Sequence, residues 1–252
     1  LDGQQVIPID VDPEEIGRHY ENTMRVEGDA KLTMEDLLTA LAAKAPAKED
    51  RTEEVAAQRS QRSDDIIKVE PQGELLDAVR KAMPENGIVI SGMTQLGYYS
   101  RAHYPVYEPR TFITSSYSGN LGYAYPTALG AKVAQPDKAV VCLSGDGGFM
   151  FNSQEMSTAV AHNINVVVVV FNDNAYGNVK RDQMNQFSGR TIGVELHNPD
   201  FVKLAEAYGA KGFVANGPTE LESTLKKALA MDAPVLIEVP VGPMPSPFFR
   251  PS

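Results

Sequence analysis

The segment Ala139-Val140-Val141-Cys142-Leu143-Ser144-Gly145-Asp146-Gly147-Gly148 runs from a solid apolar strand straight into a glycine-rich turn. A strand without polar alternation is one buried on both faces, and such strands belong to parallel sheets. The same pattern extends to either side. Apolar strands are predicted over 88–90, 112–114, 139–143, 166–171, 212–214 and 235–239. Helices are predicted over 73–83, 125–134, 154–162, 201–208 and 219–231. Strand and helix alternate along the chain. The expected fold is therefore α/β, a doubly wound, mostly parallel sheet with helices on both faces.

Outside that domain, 67–243, the pattern is weaker. Val6-Ile7-Pro8-Ile9 predicts a short strand, and Asp12-Pro13-Glu14-Glu15 predicts a helix start, with proline and acids in the first turn. Met34, Leu37, Leu38 and Leu41 repeat at helical spacing and predict a helix over 33–43. From 44 to 66 the composition turns charged, as in Lys48-Glu49-Asp50-Arg51-Thr52-Glu53-Glu54, and an exposed, partly helical linker is expected. That linker separates 1–43 from the α/β domain. The proline-rich tail, Pro243-Met244-Pro245-Ser246-Pro247 and on through 244–252, cannot form regular structure; it is either a flexible end or a surface strap.

The whole-chain numbers exclude several classes. The 252 residues are 42% hydrophobic and 22% charged, ordinary for a globular protein. A net charge of −10 argues against nucleic-acid and anionic-membrane surfaces. Cys142 is the lone cysteine, which excludes an internal disulfide framework and a cysteine-built zinc site. The longest apolar run, 166–171, is far too short to span a bilayer, and no basic-then-apolar leader opens the sequence. A cytoplasmic setting and a small-molecule ligand are expected.

In doubly wound folds, ligands bind beyond the carboxyl ends of the strands. Two strand ends here carry unusual residues: Gly145-Asp146-Gly147-Gly148, and Asn172-Asp173-Asn174-Ala175-Tyr176-Gly177 on the next strand. Glycines let backbone approach a ligand, and amides at a helix start suit a phosphate. Asp146 would repel that phosphate unless a cation lay between them, which points to magnesium. Two side-chain oxygens, a backbone carbonyl and a diphosphate fill most of an octahedral shell, leaving room for about one water. Either motif alone is ordinary turn chemistry. The two on successive strand ends are not.

Gly145-Asp146-Gly147 followed by Asn172-Asp173-Asn174 resembles the binding motif of the thiamine-diphosphate enzymes, with the side-chain metal ligands 27 residues apart. Asp173 departs from the usual Asn of that motif but is an equally hard oxygen ligand. The resemblance implies thiamine diphosphate and Mg2+ as cofactors, the metal held by the side chains of Asp146 and Asp173 and the carbonyl of Ala175. It extends the cofactor site to Gly145, Gly147, Gly148, Tyr176 and Gly177. The preceding segment, Ser118-Gly119-Asn120-Leu121-Gly122-Tyr123, is similar to acetolactate-synthase-like members. There Leu121 takes the place of the apolar residue that props the cofactor into a bent shape, and the Gly119 carbonyl that of the acceptor for the pyrimidine amino group. Thr94 and Gln95 fall where the family has a diphosphate-contacting turn, although Leu96 replaces a histidine common in synthases. Residues 1–43 resemble the last strand and helix of the family's central domain, with Gly28-Asp29-Ala30 as its closing turn.

The implied activity is decarboxylation of a 2-keto acid, the remaining carbon being protonated or joined to a second carbonyl. The family's catalytic glutamate lies on a separate pyrimidine-binding domain, usually of a partner subunit, and nothing in these residues corresponds to it. The chain, which starts at Leu1, is therefore expected to be part of a longer homodimeric or homotetrameric protein and inactive alone. Val179 stands where decarboxylases of the family carry a glutamate, which favours a carboligase. Against a true acetohydroxyacid synthase, the chain has no tryptophan. Lys180 and Arg181 either face an acidic substrate or are exposed helix charges, and His103, His162 and His197 are too scattered to assign. Three readings stay open: an acetolactate-synthase-like carboligase, a decarboxylase or lyase of the same family, and a non-catalytic phosphate-binding module.

Overall fold

The apolar runs are strands buried from both sides. The computed structural model describes residues 4–20, 23–42, 44, 50–65, 69–115 and 118–246, which divide into two compact units, Leu1–Ile66 and Ile67–Ser252.

In the first unit, β1 (Ile9–Asp10) pairs in parallel with β2 (Val26–Glu27), followed by α1 (Ala30–Ala42) and α2 (Thr52–Asp65). Three expectations need correction here. The opening strand is shorter than predicted, because Pro8 lacks an N–H and Val6 makes only an isolated bridge to Thr23. Asp12 starts turns rather than a helix: its carboxylate accepts the Glu14 N–H at 2.9 Å, and Gly17 at φ +85° ends the segment within one turn. Asp29, expected in a closing turn, caps α1 by accepting the Leu32 N–H at 3.0 Å. The charged segment is largely the helix α2, with Glu53 and Glu54 in its first turn; residues 45–49 lie outside those described.

The second unit runs α3 (Gln72–Ala82), β3 (Ile88–Ser91), α4 (Gln95–His103), β4 (Phe112–Thr114), α5 (Ala124–Ala134), β5 (Val140–Gly145), α6 (Asp146–Met150), a 3-10 turn (Ser153–Glu155), α7 (Met156–Ala161), β6 (Val167–Asn172), α8 (Gly177–Gln186), α9 (Phe201–Tyr208), β7 (Lys211–Val214), α10 (Pro218–Leu229) and β8 (Val235–Pro240). All six strands are parallel, in the order β4-β3-β5-β6-β8-β7. Alternate strand residues feed opposite cores. Val89, Val141, Val169 and Ile237 pack with Leu75, Val79, Leu96, Leu221 and Leu225 of α3, α4 and α10. Ile90, Cys142, Val168 and Leu236 pack with Tyr125, Leu129, Met156 and Phe201 of α5, α7 and α9. That two-sided burial is why the strands carry no polar alternation. The sheet is doubly wound, as expected.

Three helices were not predicted, α4, α6 and α8. None of α8's residues is buried, so it has no apolar stripe to detect. The helix expected over 154–162 splits into the 3-10 turn and α7.

Candidate functional site

The chain leaves β3 outward to β4, then returns to β5 on the other side of β3, so the strand order reverses between β3 and β5. The crevice outside the carboxyl ends at such a reversal is where doubly wound folds take ligands. A cavity of about 200 Å³ lies there. Three helices, α4, α6 and α8, begin at its rim. Its walls bring together Thr94, Gln95, Gly119, Leu121, Gly145, Asp146, Gly147, Gly148, Asp173, Ala175, Tyr176 and Gly177.

Local geometry explains two of the glycines. A Cβ on Gly147 would sit 2.5 Å from the Tyr176 ring, and one on Gly177 would collide with Asp173 Oδ2. Backbone therefore approaches the two loops more closely than a side chain permits. Asn174 adopts φ +55°, its N–H bonded to Asn172 Oδ1 at 3.2 Å, and the Ala175 N–H is bonded to Asp173 Oδ1 at 3.2 Å. These Asx contacts turn the chain back so that Tyr176 N–H meets Val194 O at 2.9 Å and Leu196 N–H meets Asn174 O at 2.8 Å. The Ala175 carbonyl takes no part in that pairing and stays available.

Asp146 is 2% exposed and Asp173 half-buried. Burial raises both carboxyls above the usual range, Asp173 to about 6, with the neighbouring Asp146 charge as its second cause. For Asp146, hydrogen bonds from the Gly147 N–H and the Asn198 amide oppose the rise. Among the described residues neither carboxylate forms an ion pair, and no cluster of three or more His, Cys, Asp or Glu is placed to hold a metal. A buried and a half-buried carboxylate facing each other without counter-charge are unfavourable as they stand, and a divalent cation would relieve them. Hard oxygens suit magnesium, with the rest of the shell left to backbone and ligand oxygens. The donor set fits.

Beside Gly177, Gln95 Oε1 accepts from Arg181 Nη1 at 2.8 Å, which leaves its amide nitrogen as the donor end. Arg181 also donates to Asn178 and, at 3.5 Å, to Met244 O, while Lys180 pairs with Glu195 at 2.7 Å. Both side chains are part-buried on α8 and partnered, where the sequence offered exposed helix charges as one option. Leu121, 36% exposed, stands between Gly119 at φ +62° and Gly122 at φ +79°, and Asn152 Nδ2 holds the Gly122 carbonyl at 2.8 Å. Val179 lines the cavity too. The tail is a strap through residue 246: Val241 N–H bonds Asn172 O at 2.9 Å, Gln72 Nε2 donates to Pro245 O at 2.8 Å, and Val241 and Met244 close one side of the cavity. Residues 247–252 lie outside those described. His103 stacks on Tyr99 at 4.2 Å, and His162 and His197 are exposed. Sequence reasoning missed Asn198, Asn152 and the clamping role of Arg181; none sits in a motif or periodic pattern that would single it out.

The family model described as "Thiamine pyrophosphate enzyme, C-terminal TPP binding domain" matches residues 92–239, from the turn after β3 through most of β8. The chain belongs to the thiamine pyrophosphate enzymes. Its relatives within them are acetolactate-synthase-like. It is 32% identical to the probable acetolactate synthase large subunit of Methanococcus aeolicus, over 95% of this chain and 43% of that protein. It is 35% identical to the acetolactate synthase isozyme 3 large subunit of Escherichia coli, over 89% of this chain and 41% of that one. A probable 2-ketoarginine decarboxylase of Pseudomonas aeruginosa is 31% identical over 93% of this chain and 42% of its own length. The chain thus spans about two fifths of the length of the curated relatives it matches. Among the described residues no helix is long and apolar enough to cross a membrane.

Proposed function

We propose that this chain holds thiamine diphosphate through a magnesium ion and serves a cytoplasmic carboligase, which removes carbon dioxide from a 2-keto acid and joins the remaining carbon to a second carbonyl. The observation that carries this is the pair Asp146 and Asp173, without counter-charge, in the switch-point cavity of a thiamine pyrophosphate-binding domain. When bound, the cofactor supplies the electron sink that decarboxylation of a 2-keto acid needs.

The residues around it bind and orient. Asp146, Asp173 and the Ala175 carbonyl hold the cation. Thr94 and the amide end of Gln95, aimed by Arg181, donate to phosphate oxygens. Gly145, Gly147 and Gly148 let the backbone come close, and Tyr176 and Gly177 close the floor of the cavity. Leu121 supports the ring system and the Gly119 carbonyl accepts from its amino group. The strap residues Val241 and Met244 exclude water from one side. Catalytic turnover also needs the family's pyrimidine-binding domain with its glutamate, in a homodimer or homotetramer, so this chain alone binds without turning over.

Decarboxylation alone is the second reading, favoured by the 2-ketoarginine decarboxylase relative. Val179 supports ligation instead, because the side chain at that wall has no proton to give. Calorimetric titration with thiamine diphosphate is expected to show binding only with magnesium. Magnesium-independent binding, or none even with the pyrimidine-binding domain supplied, overturns the proposal. Product analysis of the whole protein with pyruvate is expected to yield a carbon–carbon bonded product; free aldehyde alone gives the second reading.

A further inference from the structure

Asn198 sits in the loop before α9, 52 residues from Asp146 along the chain, yet its side chain joins two strand ends. Asn198 Nδ2 donates to Asp146 Oδ2 at 2.6 Å, to Asn172 Oδ1 at 2.9 Å and to Asn174 Oδ1 at 3.3 Å. Asn172 continues the path, its own Nδ2 donating to Glu238 Oε1 on β8 at 2.7 Å. A carboxylate accepts only, so Asn172 must present nitrogen to Glu238 and oxygen to Asn198. Each link from Glu238 through Asn172 and Asn198 to Asp146 therefore has one polarity, and no amide is free to flip. The loop is brought there by the pairing of 194–196 with 174–176 and is anchored downstream by Asp200, which accepts the Lys203 N–H at 3.0 Å and caps α9.

An amide NH2 has two hydrogens for three acceptors, and the charged one receives the shortest contact. Among the described residues Asn198 is the side-chain amide that donates to Asp146; the backbone N–H groups of Gly147 and Asn174 also donate, and the Asp173 carboxyl faces it.

We infer that Asn198 is a positioning residue for the cation: it holds the Asp146 carboxylate in the one orientation that a small octahedral ion accepts. The inference rests on the magnesium and thiamine diphosphate reading above. Magnesium demands near-ideal octahedral geometry, whereas calcium accepts six to eight oxygens in a flexible shell. An Asp146 carboxylate released to rotate therefore penalises magnesium more than calcium. A residue that merely ties down the 194–198 loop would change affinity for both ions alike.

The test measures magnesium and calcium binding by calorimetry at saturating thiamine diphosphate, for the unaltered chain, Asn198→Ala and Asn198→Ser, with thermal unfolding of each in chelator. Asn198→Ala is expected to bind magnesium about 10- to 100-fold more weakly, the range for partners that orient metal ligands. Calcium binding falls less, so the magnesium-to-calcium preference drops. Asn198→Ser keeps a hydroxyl donor and falls between; should the alanine variant not fold, the serine variant decides by the same ratio. Equal losses for both ions, or unchanged magnesium binding in a variant, overturn the role of Asn198 alone. An unaltered protein that binds no magnesium even with the pyrimidine-binding domain supplied removes the cofactor reading and this inference with it.

Discussion

The two ends of the six-stranded sheet both carry crevices, and the larger one is at the wrong end for the chemistry. Beside the amino ends of the strands lies a cavity of about 650 Å³, lined by residues such as Lys132, Pro136, His162, Asn165 and Asp232. The cavity at the carboxyl ends is about 200 Å³. They differ in what their polar groups have found. At the amino end Lys132 Nζ donates to Pro136 O at 2.7 Å and to Lys138 O at 2.8 Å, and Asn165 Nδ2 to Asp232 Oδ1 at 2.6 Å. Of the buried side-chain atoms there only Asn165 Oδ1, a neutral oxygen, lacks a partner among the described residues. At the carboxyl end the carboxylates of Asp146 and Asp173 face each other, and among the described residues neither forms an ion pair. Unbalanced buried charge, not volume, separates a site from a groove.

The largest expected effect comes from removing that charge. Asp146→Ala should weaken magnesium-dependent binding of thiamine diphosphate by more than about 100-fold, beyond the range seen for groups that only orient ligands. The metal-free variant should unfold within about 4 °C of the unaltered chain, as for a change of about 1 kcal/mol, because the Asn198 amide keeps Asn172 and Asn174 as acceptors. Calorimetry and a melting curve measure both, and intact cofactor binding would dissolve the contrast between the two ends. Next is Gly147→Ala, whose Cβ would meet the Tyr176 ring at 2.5 Å. Overpacking of that kind costs about 1–3 kcal/mol and should loosen the cofactor as well. Gly130→Ala, in α5 with nothing within 4 Å of its Cβ, should instead stabilise by about 0.5–1 kcal/mol. Denaturant titration of the pair separates a glycine needed for close approach from one that is not.

How much of this was legible follows from what each residue depends on. The strands could be seen because burial on both faces leaves an unbroken run such as Val166-Val167-Val168-Val169-Val170-Phe171, visible locally. Asp146 and Asp173 could be seen because each stands at the end of such a run. Asn198 could not: it is brought to Asp146 by the pairing of 194–196 with 174–176 around the bridge of Ala175 with Glu195, a contact between loops that no local pattern announces. The helix α8 was missed for want of an apolar face, and the supposed helix at Asp12 had the right capping residues but only the few residues before Gly17 in which to propagate. Local chemistry was readable; contacts made by loops across the strand ends were not.

A smaller effect tests whether the carboxyl-end charge is as unbalanced in solution. Asp173 titrates near 6 when folded, above its ordinary 3.8, so the folded state holds its proton more tightly than the unfolded chain. That stabilising contribution is complete below about pH 4 and is lost as pH rises through about 6. The full displacement corresponds to about 3 kcal/mol, which solvent around a half-buried carboxylate reduces to about 1 kcal/mol. Metal-free protein should therefore lose that much stability between pH 4 and 6 relative to Asp173→Asn, and saturating magnesium should abolish the difference. Melting curves in chelator across that range measure it; parallel curves for the two proteins would mean that neither burial nor the Asp146 charge raises the Asp173 carboxyl.

The smallest effect belongs to the amino-end crevice. Lys132 there is a strut, its ammonium held by two carbonyls of the α5–β5 connection, Pro136 and Lys138. A charged donor on backbone oxygens contributes about 1.5–3 kcal/mol when buried, but Lys132 lies at an open crevice, and water replaces much of what is lost. Lys132→Ala is thus expected to cost about 0.5–1 kcal/mol in a denaturant titration and to leave thiamine diphosphate binding unchanged. The strut spans the amino end of β5, whereas Asp146 follows its carboxyl end, so the intervening strand, buried from Val140 to Ser144, must be stiff enough to keep the two independent. A loss of cofactor affinity in Lys132→Ala would mean that β5 transmits displacement along its length, and the larger crevice would then be coupled to the smaller one.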